Sequence, residues 1–156
     1  MRAADPPLRG LRILVVGDDH DSLDILQQAL EFFGARVTAV DNAQEARRRL
    51  ESAQLDVLVA DIELGHETGT ELLTWLRARP NTRVSRIPAV AISAHRHYAE
   101  TKSARGFADW LLKPVRADDL CAAVARAASS KVGAPTWPPH PPTFGAPRQS
   151  RGAPLD

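Results

Sequence analysis

The 156-residue chain predicts an α/β fold, a doubly wound five-stranded parallel sheet of (βα)5 order, and three observations carry that reading. Short apolar runs rich in β-branched residues alternate with longer segments of helical period, the pattern of βα units around a parallel sheet. The runs are apolar throughout, as in Ile13-Leu14-Val15-Val16, which suits strands covered on both faces. Polar residues stand where several runs stop: Asp18, Asp61, Ser93 and Lys113.

The first strand is read over Leu11 to Val16, followed by Asp18, Asp19 and Asp21. Leu23, Ile25, Leu26, Ala29, Leu30 and Phe33 then have the spacing of one helix face, closed by Gly34. Strand two is Ala35 to Val40, and Asn42 with Glu45 forms a capping box for a helix through Arg47, Leu50 and Glu51. Strand three covers Asp56 to Ala60 and ends on Asp61. Ile62 to Gly69 has no clear period, and Glu71 to Arg79 is helical until Pro80 stops it. Strand four is Ile87 to Ser93, a weaker helix covers Arg96 to Ala104, and strand five is Trp110 to Leu112. An Ala-rich helix over Asp118 to Ser129 turns Leu120, Val124 and Ala128 inward.

Composition sets the boundaries. Seven of the 12 prolines lie in the final 26 residues, so the chain divides into an N-terminal extension (1–9), a folded domain (10–130) and a Pro-rich tail (131–156) expected to be disordered. The run Trp137-Pro138-Pro139-His140-Pro141-Pro142 favours polyproline II, with a docking motif, or a flap of Trp137 and Phe144 onto the domain, as the functional alternative. A formal net charge of +1 offers no general field for nucleic acid or anionic lipid. Cys121 is the only cysteine, which excludes an internal disulfide and a multi-thiolate metal site. No signal peptide or membrane span is legible, and a cytoplasmic protein is expected.

In such a sheet, ligands bind at the carboxyl ends of the strands, beside the point where strand order reverses. The residues there are Gly17, Asp18 and Asp19, then Asp61, then Ser93 and Ala94, then Lys113 and Pro114. Two carboxylates from separate strand ends suit Mg2+, which is held by one or two carboxylates with water and phosphate oxygens. A cation and a Lys would offset the charge of a phosphoryl group approaching a carboxylate, which makes Asp61 a candidate phosphate acceptor. Singly, each residue has a bland explanation as a cap, a surface turn or an ordinary serine. Their ordered placement on four strand ends is what the bland explanations do not account for.

With these segments the chain resembles the receiver domain of two-component response regulators over about residues 10 to 130. The carrying stretches are Ile13 to Asp19, Asp56 to Asp61 with Gly69, Ile87 to Ala94, and Gly106 to Pro114. The resemblance implies a flavodoxin-like receiver fold in which Asp61 takes a phosphoryl group from a histidine kinase or histidine phosphotransfer protein. It implies Mg2+ on Asp18, Asp61 and the backbone carbonyl of Glu63, with Ser93 and Lys113 on the phosphoryl group. Trp110 falls at the aromatic switch position coupled to Ser93, and the Lys113-Pro114 peptide is expected to be cis.

Three positions depart from the family pattern. Gly17 replaces the first member of the acidic pair, which weakens the expected Mg2+ site unless Asp19 compensates through water. Gly65 replaces a proline, so the loop after Asp61 is expected to be looser. Trp110 is larger than the usual Tyr or Phe, so the switch is expected to be biased outward or stiff. Glu63 and His95, two positions beyond Asp61 and Ser93, influence dephosphorylation in this family, though His95 and His97 also read as solvent-facing helix residues. Trp75 reads as packing or a helix rim, Cys121 as a small core residue, and Arg47-Arg48-Arg49 as a solvated face.

The resulting expectation is a stand-alone phosphoacceptor, monomeric or a phosphorylation-dependent homodimer, self-phosphorylating and self-dephosphorylating at most, with no nucleic-acid or membrane partner. Its output would come from the surface of the predicted fourth helix, fifth strand and fifth helix. Two rivals remain: a phosphorylation-independent pseudo-receiver, and a haloacid-dehalogenase-type phosphatase. Against the phosphatase, Glu63 stands where that class has a general-acid Asp.

Overall fold

The computed structural model describes residues 5–95 and 106–129. The predicted helix over 96–104, His97 and the Pro-rich tail lie outside the described residues. The elements run β1 (Arg12–Val16), α1 (His20–Phe32), β2 (Arg36–Val40), α2 (Ala43–Ser52), β3 (Val57–Asp61), α3 (Gly69–Arg77), α4 (Thr82–Ser85), β4 (Ala89–Ser93), β5 (Asp109–Leu112) and α5 (Ala117–Ser129).

All strand pairs are parallel, in the order β2-β1-β3-β4-β5. The chain moves from β1 outward to β2, then returns past β1 to β3. Strand order therefore reverses between β1 and β3, and the crevice of a doubly wound sheet opens at the carboxyl ends of those two strands. Asp18 and Asp61 flank it. The predicted five-stranded parallel α/β fold is thus the observed one.

Two apolar layers hold the sheet, because successive side chains of a strand point to opposite faces. Leu14, Val16, Leu58, Ala60, Ala89 and Ala91 pack on one side under α2 and α3. Ile13, Val15, Val57, Val59, Val90 and Ile92 pack on the other under α1 and α5. Every residue of β3 and β4 is buried, whereas β2 at the edge is mostly half-exposed. This matches the uninterrupted apolar runs of the central strands.

The segment before β1 is not a free extension. Leu8 is fully buried, its N–H donates to the Phe33 carbonyl at 2.9 Å, and the Gly10 N–H reaches the Gly34 carbonyl at 3.3 Å. At the far side, buried Asp109 of β5 is ion-paired with Arg126 of α5, which ties the edge strand to the last helix.

Local differences from the sequence reading have local causes. Helix α3 starts at Gly69, ahead of the expected Glu71, because Thr68 and Glu71 form a reciprocal capping box. At α2 only half of the expected box forms. Asn42 accepts the Glu45 N–H at 2.8 Å, while the Glu45 carboxylate turns to Arg48 and Arg49. The short α4 was not expected; Asn81 caps it by accepting the Arg83 and Val84 N–H groups, and Val84 is buried beneath it. The Pro80-Asn81 pair was its available signal.

Burial of Leu8 makes a stability prediction. Leu8→Ala should lower the unfolding free energy by about 3 kcal/mol, within the range for truncating a fully buried leucine. Urea denaturation reads this directly; a loss below about 0.5 kcal/mol, the surface-substitution range, would show that the segment is not part of the core.

Candidate functional site

The site is assembled at the carboxyl ends of β1, β3, β4 and β5. Asp61 ends β3, is 6% exposed, and has both carboxylate oxygens engaged. Its Oδ1 accepts the Glu63 N–H at 3.0 Å, and its Oδ2 meets Lys113 Nζ at 2.6 Å. Lys113 follows β5, so its side chain passes across the end of β4 to reach β3. Its backbone N–H donates to the Ser93 carbonyl at 2.8 Å, which seats the residue, and the Lys113–Pro114 peptide is cis as expected.

Burial pushes the Asp61 carboxyl above the ordinary carboxylate range. The bonds from Lys113 and the Glu63 N–H pull it back only in part, and the charge of Asp18 adds to the rise. Asp18 itself is exposed, and its Oδ2 lies 3.7 Å from where a Cβ on Gly65 would stand, so it faces the loop that follows Asp61.

Asp19 is placed differently. It is the N-cap residue of α1 and its Oδ2 accepts the Ser22 hydroxyl at 2.6 Å, which holds its carboxyl below the usual range. Ser93 is fully buried at the end of β4 and bonds to its own loop: its Oγ accepts the His95 N–H at 2.9 Å and donates to the His95 carbonyl at 3.2 Å.

The β3–α3 loop corrects one expectation. Gly65 takes φ 79°, a left-handed conformation that glycine adopts without steric penalty, yet the loop around it is tied down. The Leu64 N–H donates to the Glu67 carbonyl at 3.0 Å, and Leu64 and Ile62 are buried. Arg47 of α2 grips the Glu67 carboxylate with both terminal nitrogens, and Trp75 lies within 5.6 Å of the same guanidinium. Arg47 is therefore a loop anchor and not part of a solvated face, whereas Arg48 and Arg49 are exposed and pair with Glu45 of their own helix. Gly69 is required for another reason: a Cβ there would stand 2.6 Å from the Asp61 carbonyl oxygen.

Two further expectations change. His95 belongs to no helix; its Nε2 meets Glu63 Oε2 at 2.8 Å, linking the loops after β3 and β4 beside the acceptor. Neither residue's local sequence carries a signal for that pair. Trp110 points inward, 1% exposed, edge-on to Phe107 with ring centroids 6.1 Å apart. Its volume is accommodated because its register partner on β4 is the small Ala91, with Ala89 on the same face. Cys121 is buried, which pushes its thiol above the ordinary range and agrees with a packing role.

The donor set can be tested against Mg2+. Among the described residues no three His, Cys, Asp or Glu side chains converge as metal ligands. Mg2+ needs fewer protein donors, and two carboxylates plus a carbonyl suffice. In the bridge between Glu63 and Thr68 the bonds run from flanking residues, Gly69 N–H to the Ile62 carbonyl and Leu64 N–H to the Glu67 carbonyl. That pattern turns the N–H and C=O of Glu63 away from Thr68. The N–H goes to Asp61, and the carbonyl is directed to the same side. Asp18, Asp61 and the Glu63 carbonyl are oxygen donors of the kind that fit the ion, and Asp19 beside them is bonded through Oδ2 to the Ser22 hydroxyl.

Fold and site together define a receiver domain of the response-regulator class. The sequence matches the response regulator receiver domain family over residues 13–125, and the chain belongs to that family. It is 38% identical over 110 residues to an uncharacterized 14.6 kDa protein of Leptolyngbya boryana, covering 69% of this chain and 82% of that one. It is 34% identical over 137 residues to the virulence sensor protein BvgS of Bordetella pertussis, covering 81% of this chain but 11% of BvgS, so that likeness concerns one module of a longer protein. Among solved structures, the receiver domain of a Pseudomonas aeruginosa sensor histidine kinase, with magnesium coordinated in its active-site cleft, superposes with TM-score 0.69 at 28% identity. The aligned region covers 78% of this chain and 99% of that one. Membership places the chain among phosphoacceptor receivers of two-component signalling, whose chemistry is their own phosphorylation and dephosphorylation. No helix among the described residues is long and apolar enough to cross a membrane.

The raised pKa of Asp61 sets a pH dependence. An acid whose pKa is higher in the folded state costs the fold stability above that pKa, and the cost vanishes below the unfolded value, near 3.8. In metal-free buffer, Asp61→Asn should therefore unfold at a higher temperature than wild type at pH 7, with the gap closing toward pH 4. Thermal scans at both pH values test this; a variant less stable at pH 7 would contradict it.

Proposed function

We propose that Asp61 accepts a phosphoryl group from a phosphohistidine on a histidine kinase or histidine phosphotransfer protein. Asp18, Asp61 and the Glu63 backbone carbonyl hold Mg2+ in this reading. The observation that carries it is the buried Asp61 carboxylate in contact with Lys113 across the end of β4, at a crevice rimmed by a second carboxylate.

An oxygen of Asp61 attacks phosphorus; a P–O bond forms while the P–N bond to the donor imidazole breaks, and its electron pair returns to the ring nitrogen. Lys113 starts on the attacking carboxylate and follows the negative charge onto the phosphoryl oxygens. Mg2+ held by Asp18, Asp61 and the Glu63 carbonyl would supply further positive charge for those oxygens. Ser93 exchanges its bonds to the His95 backbone for one to the phosphoryl group. That shift changes the end of β4 opposite Leu112 of β5, two residues beyond Trp110, and biases a two-state surface without building a new fold. His95 Nε2 meets the Glu63 carboxylate at 2.8 Å, so this extra acid of the β3–α3 loop has a partner on the loop after β4.

Acetyl phosphate labelling tests the acceptor. Wild type should take up label in the presence of Mg2+ and Asp61→Asn none; a labelled Asp61→Asn protein would overturn the assignment.

A pseudo-receiver without regulated chemistry is favoured by one observation, Gly17 in place of a carboxylate. Mg2+ titration followed by Trp fluorescence separates the two readings. A response lost in Asp18→Ala supports the receiver, and no response at millimolar Mg2+ supports the rival. A Cβ on Gly17 would lie 3.5 Å from Leu23 Cδ2 and 3.6 Å from Asp61 Cβ, ordinary contacts, so a side chain fits there. Gly17→Asp should tighten Mg2+ binding by about tenfold or more, since even with the screening of bulk water one added charge at ~4 Å from a divalent ion is worth about 2 kcal/mol. Unchanged affinity would mean that position 17 lies outside the ion's field.

A further inference from the structure

The amino ends of the strands carry a second feature. A cavity of about 490 Å3 lies between the start of β1, the α2–β3 connection and the segment from α4 to Pro88. Five-residue strands place it roughly 17 Å from the carboxyl ends, and none of its lining residues belongs to the Asp61 site.

Its floor is apolar, formed by Leu55, Ile87 and Pro88, while its rim carries Arg12, Arg83 and Arg86 against one carboxylate, Asp56. Asp56 is already committed to Arg12: its Oδ2 accepts the Arg12 N–H at 2.8 Å and meets Arg12 Nε at 3.3 Å. Arg83 and Arg86 are exposed, and among the described residues neither is engaged by a carboxylate.

A further guanidinium, outside the lining, holds the segment that carries them. Arg77 donates to the carbonyls of Ser85 at 2.9 Å, Ile87 at 2.6 Å and Gly106 at 3.3 Å, so carbonyl oxygens and no carboxylate surround it. This contact fixes the backbone that presents Arg86 and the apolar floor. The cavity therefore combines a pre-set concave shape, an apolar base and two uncommitted guanidinium groups.

Those properties select a ligand class. Guanidinium is planar and forks onto phosphate oxygens in pairs, and an apolar base suits the face of a ring. The volume lies in the range of small-molecule sites. We propose that this cavity binds a phosphate-bearing small ligand of mononucleotide size, its phosphate on Arg83 and Arg86 and its ring on Leu55, Ile87 and Pro88. The site is independent of the acceptor role of Asp61.

The test is an amide NMR titration of the full chain with adenosine and guanosine monophosphates, inorganic phosphate and adenosine as probes. A mononucleotide should shift the amides of residues 54–56 and 82–87 and saturate below about 1 mM. Arg83→Glu/Arg86→Glu should weaken that binding by about tenfold or more, with Arg83→Gln/Arg86→Gln in between. Both variants should retain acetyl phosphate labelling of Asp61. Equal binding of inorganic phosphate would overturn the ring contact, and equal binding of adenosine would overturn the role of the arginines. Shifts confined to Asp18 and Asp61, or none at all, would overturn the site, and tighter binding of an oligonucleotide would overturn the small-ligand class.

Discussion

A carboxylate closed into the end of a parallel sheet is stripped of most of its water, and the contact from Lys113 Nζ to Asp61 Oδ2 at 2.6 Å compensates that loss. The compensation is incomplete, since burial still outweighs the lysine in setting the Asp61 proton affinity. An unsatisfied buried charge is expensive, and a group poised in this way gains when a cation or a transferable phosphoryl group enters. The surrounding geometry follows from holding that contact in place. Lys113 must cross β4, so β4 ends in the small Ser93, and the Lys113 N–H is bonded to the Ser93 carbonyl to set its starting point. The close approach of α3 to the Asp61 carbonyl demands Gly69.

Around this contact the loops are joined by polar side-chain pairs whose members come from different elements. Glu63 meets His95, and Glu67 is gripped by Arg47, with the guanidinium groups of Arg47 and Arg79 lying 5.6 Å and 4.4 Å from the Trp75 ring centre. Such half-exposed pairs contribute little to global stability, about 1 kcal/mol or less each. Their effect is local: they define where the loop after Asp61 lies, and they replace the stiffness that a proline at position 65 would have supplied.

The two ends of the sheet have opposite electrostatic character. Acids collect at the carboxyl ends, at Asp18, Asp19, Asp21 and Asp61, where the α1 N-terminus and Lys113 partly offset them. Arginines collect at the amino ends, where Asp56 is the one acid lining the cavity. The formal net charge of +1 is the sum of these unlike surfaces and describes neither. Separating them by the length of the strands, beyond a Debye length at physiological salt, keeps the acidic and the basic surface from cancelling on one small domain.

The alternation of apolar runs and helical periods determined the strand count, the parallel sheet and the strand-end positions, because these follow from local periodicity and from the burial of both faces of a central strand. Asp18, Asp61, Ser93 and Lys113 were legible for the same reason: in a doubly wound sheet, position along a strand already says which residues face the crevice. Tertiary structure decided what depends on pairs distant in the chain. Leu8 joined the core because the α1–β2 turn offers it backbone partners and a cover, which composition cannot disclose. Trp110 turned inward because Ala91 lies opposite it, a consequence of register. His95 left the expected helix face for Glu63, 32 positions earlier, and Arg47 found Glu67 across a helix and a strand. Local sequence encodes which conformation a segment prefers, while the partner a charged side chain finds is set only when separate elements are packed together.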